Sequence, residues 1–211
     1  MADIKAVIFD LDGVIVTTDD CHYEAWKRMA DEEGIYFDRQ INERLRGVSR
    51  MESLEIILER YEGSLCEEKK EKLAEEKNNI YKELLKQMSE KDLTEEVKNT
   101  LDTLRAQGKK LAIGSSSKNA KFILGQLGLG DYFDAISDGT NISRSKPDPE
   151  VFIKAAEFLG LEESKCLVVE DAKAGILAAH NGGFKSAGLG EAADSELVTY
   201  PLKTFSDLLN I

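Results

Sequence analysis

The chain has 211 residues, enough for one large domain or for a domain that carries an insertion. A hydrophobic fraction of 42% beside a charged fraction of 32% fits a globular protein and excludes a disordered chain. The formal net charge of −12 argues against nucleic acid or an anionic membrane surface as the main partner, so an anionic substrate must find its own local cluster of cations.

Three cysteines, Cys21, Cys66 and Cys166, are an odd number with no Cys-x-x-Cys pair, which is not a disulfide scaffold. Met1 to Lys5 lead into a strand-length apolar run rather than a signal peptide, and no stretch reaches transmembrane length. The expectation is a cytoplasmic protein without a membrane partner.

In chain order, Ala6 to Phe9 reads as a short buried parallel strand, closed by Phe9-Asp10-Leu11-Asp12-Gly13-Val14. Extended backbone through this segment would put Asp10 and Asp12 on one face and turn Leu11 to the core. Paired carboxylates at a strand end suit phosphoryl transfer, one attacking phosphorus and one moving a proton, provided a divalent cation offsets their repulsion. Acidic pairs before glycine also occur in ordinary turns, so the spacing does not decide by itself.

From about Asp19 to Lys91 the sequence shows helical patterns and no convincing strand. Its Glu- and Lys-dense end carries Leu73, Ile80, Leu84 and Met88 at helical spacing, which predicts a solvated helix. Two connections, near 16–18 and 89–94, would join this insertion to the rest, giving a cap over 17–91 and a core of 1–16 and 92–211. Such a cap would sit over the carboxyl ends of the sheet and could close on a hinge.

Beyond it, further strands are expected at Leu111 to Gly114, Phe133 to Ile136, Cys166 to Val169 and Phe184 to Gly188. Helical spacing lies over Thr100 to Gly108, Ala120 to Leu127, Glu150 to Leu159 and Ala172 to Asn181. This βα alternation predicts an α/β fold, a doubly wound parallel-sheet, Rossmann-like core with a small helical cap domain inserted after the first strand.

Four strand ends carry chemistry. Asp10 with Asp12 is the first, and Ser115-Ser116-Ser117 is the second, where hydroxyl and N–H groups could hold phosphate oxygens or simply cap a helix. Third is Lys146 in Ser145-Lys146-Pro147-Asp148-Pro149, a cation beside prolines whose peptide geometry the sequence leaves open. The fourth is Glu170-Asp171, hard oxygen donors for Mg²⁺ together with Asp10, or a capped helix start.

These segments, in this order, resemble the haloacid dehalogenase superfamily of phosphotransferases across essentially the whole chain. The resemblance implies Asp10 as the nucleophile that becomes phosphoaspartate and Asp12 as general acid/base. It further implies Ser115 and Lys146 as a phosphate clamp, with Mg²⁺ held by Asp10, Glu170, Asp171 and the Asp12 carbonyl. Within the insertion, Asp19-Asp20-Cys21-His22-Tyr23-Glu24-Ala25-Trp26, Leu45-Arg46-Gly47-Val48-Ser49-Arg50 and Lys77-Asn78-Asn79 are similar to the cap of β-phosphoglucomutases, as is Ser116-Ser117-Lys118-Asn119 in the core.

That family converts β-glucose 1-phosphate to glucose 6-phosphate through β-glucose 1,6-bisphosphate. By resemblance, Arg50 would bind the phosphate not being transferred, His22 and Lys77 would position Asp12, and Thr18 would sit at the hinge. Trp26, Arg46, Gly47, Ser117 and Asn119 would join the sugar-phosphate site, with cap core as the other reading of Trp26. Departures are Arg46 where Lys is frequent, Ala172 where Ser is frequent, and Thr94-Glu95-Glu96 in place of Pro-Gly. The alternative activity is a Mg²⁺-dependent sugar phosphatase or phosphoglycolate-type phosphatase. Asp10 after the first strand argues against a signalling receiver, whose acceptor aspartate would follow a middle strand and which would lack the insertion. The expected partner is a small sugar phosphate, and the expected state a monomer.

Overall fold

The computed structural model describes residues 3–46 and 48–211. Its elements in chain order are β1 (Ala6–Phe9), α1 (Asp19–Glu32), α2 (Arg39–Glu43), α3 (Arg50–Leu58), α4 (Glu67–Leu85), α5 (Glu95–Ala106) and β2 (Lys110–Gly114). They continue with α6 (Ala120–Gln126), β3 (Ala135–Ser137), α7 (Glu150–Leu159), β4 (Cys166–Glu170), α8 (Lys173–Asn181), β5 (Lys185–Gly188) and β6 (Tyr200–Pro201). No helix among the described residues is long and apolar enough to cross a membrane.

All six strands are parallel, in the order β3-β2-β1-β4-β5-β6. Because β1 is buried on both faces, its residues alternate between two cores. Val7 and Phe9 pack with Leu101, Leu104, Ile123 and Leu124 of α5 and α6, while Ile8 packs with Phe152, Ala155 and Ala179 of α7 and α8. Helices thus cover both faces, the doubly wound arrangement. Each fully buried aliphatic or aromatic side chain contributes ~1.5–3 kcal/mol.

Register then places the chemistry. Phe9 pairs with Ile113 on one side and Val169 on the other, so β1, β2 and β4 end at one level. Asp10, Ser115 and Glu170 therefore emerge beside one another at the strand order's switch point, where open α/β sheets bind ligands.

Helices α1–α4, inserted after β1, build a core of their own around Trp26, Met29, Leu54, Ile57 and Leu73. Helix α4 belongs to two cores: Leu73 and Ala74 lie in the helical one, and Tyr81 and Leu85 in the sheet's. Its buried face is Leu73, Ala74, Lys77, Tyr81 and Leu85, and Ile80, Leu84 and Met88 are only partly buried. The expected stripe was displaced because a lysine occupies the buried face.

Smaller differences have local causes. Helix α5 starts at Glu95 because Thr94 Oγ1 accepts the Val97 N–H at 3.3 Å. Strand β3 starts two residues later than Phe133, because the Asp134 carboxylate accepts the Leu111 N–H at 2.8 Å. The two-residue β6 carries a proline and gives no strand pattern. Strand β1 ends at Phe9, so Asp10 to Asp12 lie in the turn beyond it rather than on an extended strand.

Candidate active site

A cavity of about 930 Å³ lies between the carboxyl end of the sheet and the inserted helices. Asp10 and Asp12 both face it, as do Ser115, Lys146, Glu170 and Asp171 from the core and His22, Arg50 and Lys77 from the insertion. The turn after β1 brings Asp12 there: Gly13 takes φ 84°, and its N–H donates to the Val16 carbonyl at 2.8 Å. A Cβ on Gly13 would fall 2.1 Å from Asp171 Oδ2, so close approach as well as backbone hand requires glycine there.

On the core side, buried Lys146 donates to Asp10 Oδ1 and to Glu170 Oε1, and its ammonium lies 4.9 Å from the Phe152 ring centroid. The Lys146-Pro147 bond is cis. Glu170 Oε2 accepts from the N–H groups of Asp171 and Ala172 at 3.0 and 3.1 Å. Carboxylate oxygens of Asp10, Glu170 and Asp171 lie within 4.8 Å of one another. Burial pushes the Asp10 carboxyl up to about 7 against the pull of Lys146, while burial with Asp10 and Glu170 pushes Asp171 up to about 8. Burial opposes the charge on Lys146, yet Asp10 and Glu170 hold it above the ordinary lysine range. Three converging hard-oxygen donors short of positive charge fit Mg²⁺.

Asp12 is held from the other direction. Its Oδ1 accepts the Thr18 N–H at 2.7 Å, its Oδ2 accepts the Thr18 hydroxyl at 2.6 Å, and His22 Nε2 lies 3.4 Å away. Burial raises the Asp12 carboxyl, but His22 and Thr18 outweigh it and hold Asp12 below the ordinary range. Since the Thr18 hydroxyl gives its proton to Asp12, the Tyr81 hydroxyl donates to Thr18 across 2.8 Å.

Lys77, 2% exposed, reaches His22 Nδ1 at 2.8 Å and lies over the Trp26 and Tyr81 rings at 4.8 and 4.6 Å. When it donates there, Nδ1 accepts and the imidazole proton sits on Nε2, facing Asp12. Burial and Lys77 lower His22, which favours this neutral form. Burial, then Arg50, brings Lys77 itself down to about 7.

Arg50 opens α3 behind a capping box in which Ser49 Oγ accepts the Glu52 N–H and Glu52 Oε2 accepts the Ser49 N–H. Its half-buried guanidinium has no hydrogen bond or ion pair among the described residues, and burial lowers its proton affinity. Arg46 sits at the rim, paired with Asp19, and Trp26 lines the wall from within the helical core. Gly47 lies outside the described residues. Ser115 Oγ accepts the Ser117 N–H at 3.2 Å, and Ser117 Oγ the Asn119 N–H at 3.1 Å, so these hydroxyls order the loop before α6.

Sequence reasoning missed Tyr81 and named Ser116, Lys118 and Asn78 within motifs without making them site residues; all four are on the cavity wall. Tyr81 lies one helical turn beyond Lys77, and the other three fall inside segments already conspicuous. No local pattern pairs them.

The family model for haloacid dehalogenase-like hydrolases matches residues 4–183. A β-phosphoglucomutase of Bacillus subtilis is 42% identical over 190 residues, 89% of this chain and 84% of that protein. A phosphorylated carbohydrates phosphatase of Thermotoga maritima is 32% identical over 185 residues, 86% of this chain and 83% of that protein. Among solved structures, β-phosphoglucomutase from Clostridium difficile has a TM-score of 0.90 at 38% identity, covering 97% of this chain and 93% of that one.

Proposed function

The chain belongs to the haloacid dehalogenase-like hydrolase family, and from that premise we propose that it is a cytoplasmic enzyme interconverting β-glucose 1-phosphate and glucose 6-phosphate. The observation that carries this reading is Arg50: a half-buried guanidinium, without a carboxylate partner among the described residues, on the inserted-helix side of a cavity whose sheet side holds Asp10 and Lys146. A site that only hydrolyses a monophosphate needs one phosphate-binding end, whereas a bisphosphate intermediate needs two. Lys118, with no ion pair among the described residues, faces the same cavity from the loop before α6 and adds charge for the second phosphate. The 42% identity to a β-phosphoglucomutase supports the same choice.

In this mechanism an Asp10 carboxylate oxygen attacks phosphorus, the bond from phosphorus to the sugar oxygen breaks, and the departing oxygen takes a proton from Asp12. In the return half, Asp12 accepts the proton of the other sugar hydroxyl as that oxygen attacks the phosphoaspartate. Mg²⁺, held by Asp10, Glu170 and Asp171, would supply charge neutralisation at the transferring phosphate. Lys146 orients Asp10, Ser115 and the N–H groups of its loop face the transferring phosphate, and Thr18 with His22 keeps Asp12 aimed, ionised before it accepts the sugar hydroxyl's proton and holding that proton for the departing oxygen of the next transfer. Residues 17–91 act as the cap that keeps water from the phosphoaspartate while the bisphosphate turns over.

The test is ³¹P NMR of the protein with Mg²⁺, β-glucose 1-phosphate and a trace of the 1,6-bisphosphate. Glucose 6-phosphate with little free phosphate is the expected result; free phosphate as the main product would make the protein a sugar phosphatase instead. Asp10→Asn should abolish phosphoenzyme formation and turnover. Arg50→Ala should form phosphoenzyme from acetyl phosphate at the parental level yet lose sugar turnover, and equal loss of both would remove Arg50 from its role.

A further inference from the structure

Helix α6 is tied to α4 at both ends. At its last residue, Gln126 Nε2 donates to the carbonyls of Leu85, Lys86 and Met88 at 3.3, 3.2 and 3.3 Å, gathering the end of α4 and the start of the second connection. At its start, buried Asn119 donates from Nδ2 to Asn78 Oδ1 at 3.0 Å. The Gln126 contact sits where the chain leaves α4, so it can persist as the insertion swings. The Asn119 contact lies across the cavity wall and must break whenever the two parts separate.

Both partners are chemically placed. Asn119 follows Ser117 and Lys118 in the loop facing the cavity, and its N–H is fixed by Ser117 Oγ. Asn78 adjoins Lys77, whose ammonium reaches His22 and, through it, Asp12. We infer that Asn78 is a positioning residue: its carboxamide oxygen locks α4 onto the Ser117-Lys118-Asn119 loop, so that a sugar phosphate held by the loop and the Lys77-His22-Asp12 chain come into register together. This inference rests on the mutase reading and adds to it the element that links phosphate capture to placement of the proton-transfer group. Loss of the contact leaves transfer to Asp10 intact and lets water reach the phosphoaspartate before the sugar hydroxyl is aligned.

The experiment compares the parent with Asn78→Leu, Asn78→Ala and Asn78→Asp, reading the ratio of glucose 6-phosphate to free phosphate, kcat and KM for β-glucose 1-phosphate, Mg²⁺-dependent hydrolysis of acetyl phosphate, and Tm. Leu and Ala remove the acceptor and should lower the product ratio about tenfold, mainly through kcat, with acetyl phosphate hydrolysis within about twofold of the parent or faster. Asp keeps the acceptor and should hold the parental ratio, any repulsion of phosphate appearing in KM. Should the Leu protein fail to fold, the Ala protein decides. A parental ratio in the Leu or Ala protein overturns the inference alone, as does an Asp protein that loses the ratio as fully as Leu. A parent that yields only free phosphate overturns the mutase reading and, with it, the role of Asn78.

Discussion

Lys77 is a charged side chain held where charge is disfavoured. It is 2% exposed, its polar contact is a histidine nitrogen, and burial with Arg50 brings it to about 7. An unfolded lysine titrates near 10.4. Between those values the unfolded chain binds a proton that the folded chain releases, so stability rises with pH there. The cost is complete below about pH 7 and fades as pH approaches 10. Lys77→Met, which fills the same stripe with an apolar chain, should therefore raise Tm most at pH 7 and below, with the gain shrinking toward pH 10, while sugar turnover collapses. A Tm gain that is flat with pH would mean that Lys77 is not the source of the cost. The same residue explains why spacing misplaced the buried stripe: the resemblance brought Lys77 to the site, but apolar spacing alone passes over a lysine, and the fold puts Leu73, Lys77, Tyr81 and Leu85 on one buried face.

Among the elements, α8 shows how backbone shape serves the acidic cluster. Gly175 lies in its first turn, and a Cβ there would fall 1.9 Å from Glu170 Cδ and Oε1. The missing side chain is the space that the Glu170 carboxylate occupies while accepting the N–H groups of Asp171 and Ala172. Helix propensity alone would favour alanine by about 0.5–1 kcal/mol. Gly175→Ala should nevertheless displace Glu170 and weaken Mg²⁺ binding by about tenfold or more, read as a rightward shift in the Mg²⁺ concentration that raises Tm. An unchanged Mg²⁺ dependence would show that Glu170 has room elsewhere. The strand ends themselves were legible because each is a short apolar run stopped by groups that cannot be buried unpaired: Asp10 after Ala6–Phe9, Ser115 after β2, Glu170-Asp171 closing β4. What holds those groups was not legible. The pairing of Lys146 with both Asp10 and Glu170, or of Asn119 with Asn78, joins residues 24 to 136 positions apart and depends on register rather than local pattern.

The whole molecule is two packed units sharing one helix. Leu73 and Ala74 of α4 complete the core around Trp26, while Tyr81 and Leu85 complete the core under the sheet. If the inserted helices unfolded alone, α4 would have to withdraw Tyr81 and Leu85 from the sheet's core and break Gln126's contacts at its end. The cost of that exposure ties the units into one cooperative transition. Trp26 is the chain's single tryptophan and is 2% exposed in the helical core, so its fluorescence reports that unit, while far-UV circular dichroism reports both. In urea the two signals should share a midpoint. Leu85→Ala removes a fully buried side chain at the shared end and should cost about 2–5 kcal/mol. Because the lost contacts belong to the sheet's core, a shift of the Trp26 midpoint equal to that of circular dichroism would show that α4 carries the coupling. A Trp26 signal that stays at the parental midpoint while circular dichroism moves would show that the units unfold independently and that the shared helix does not couple them.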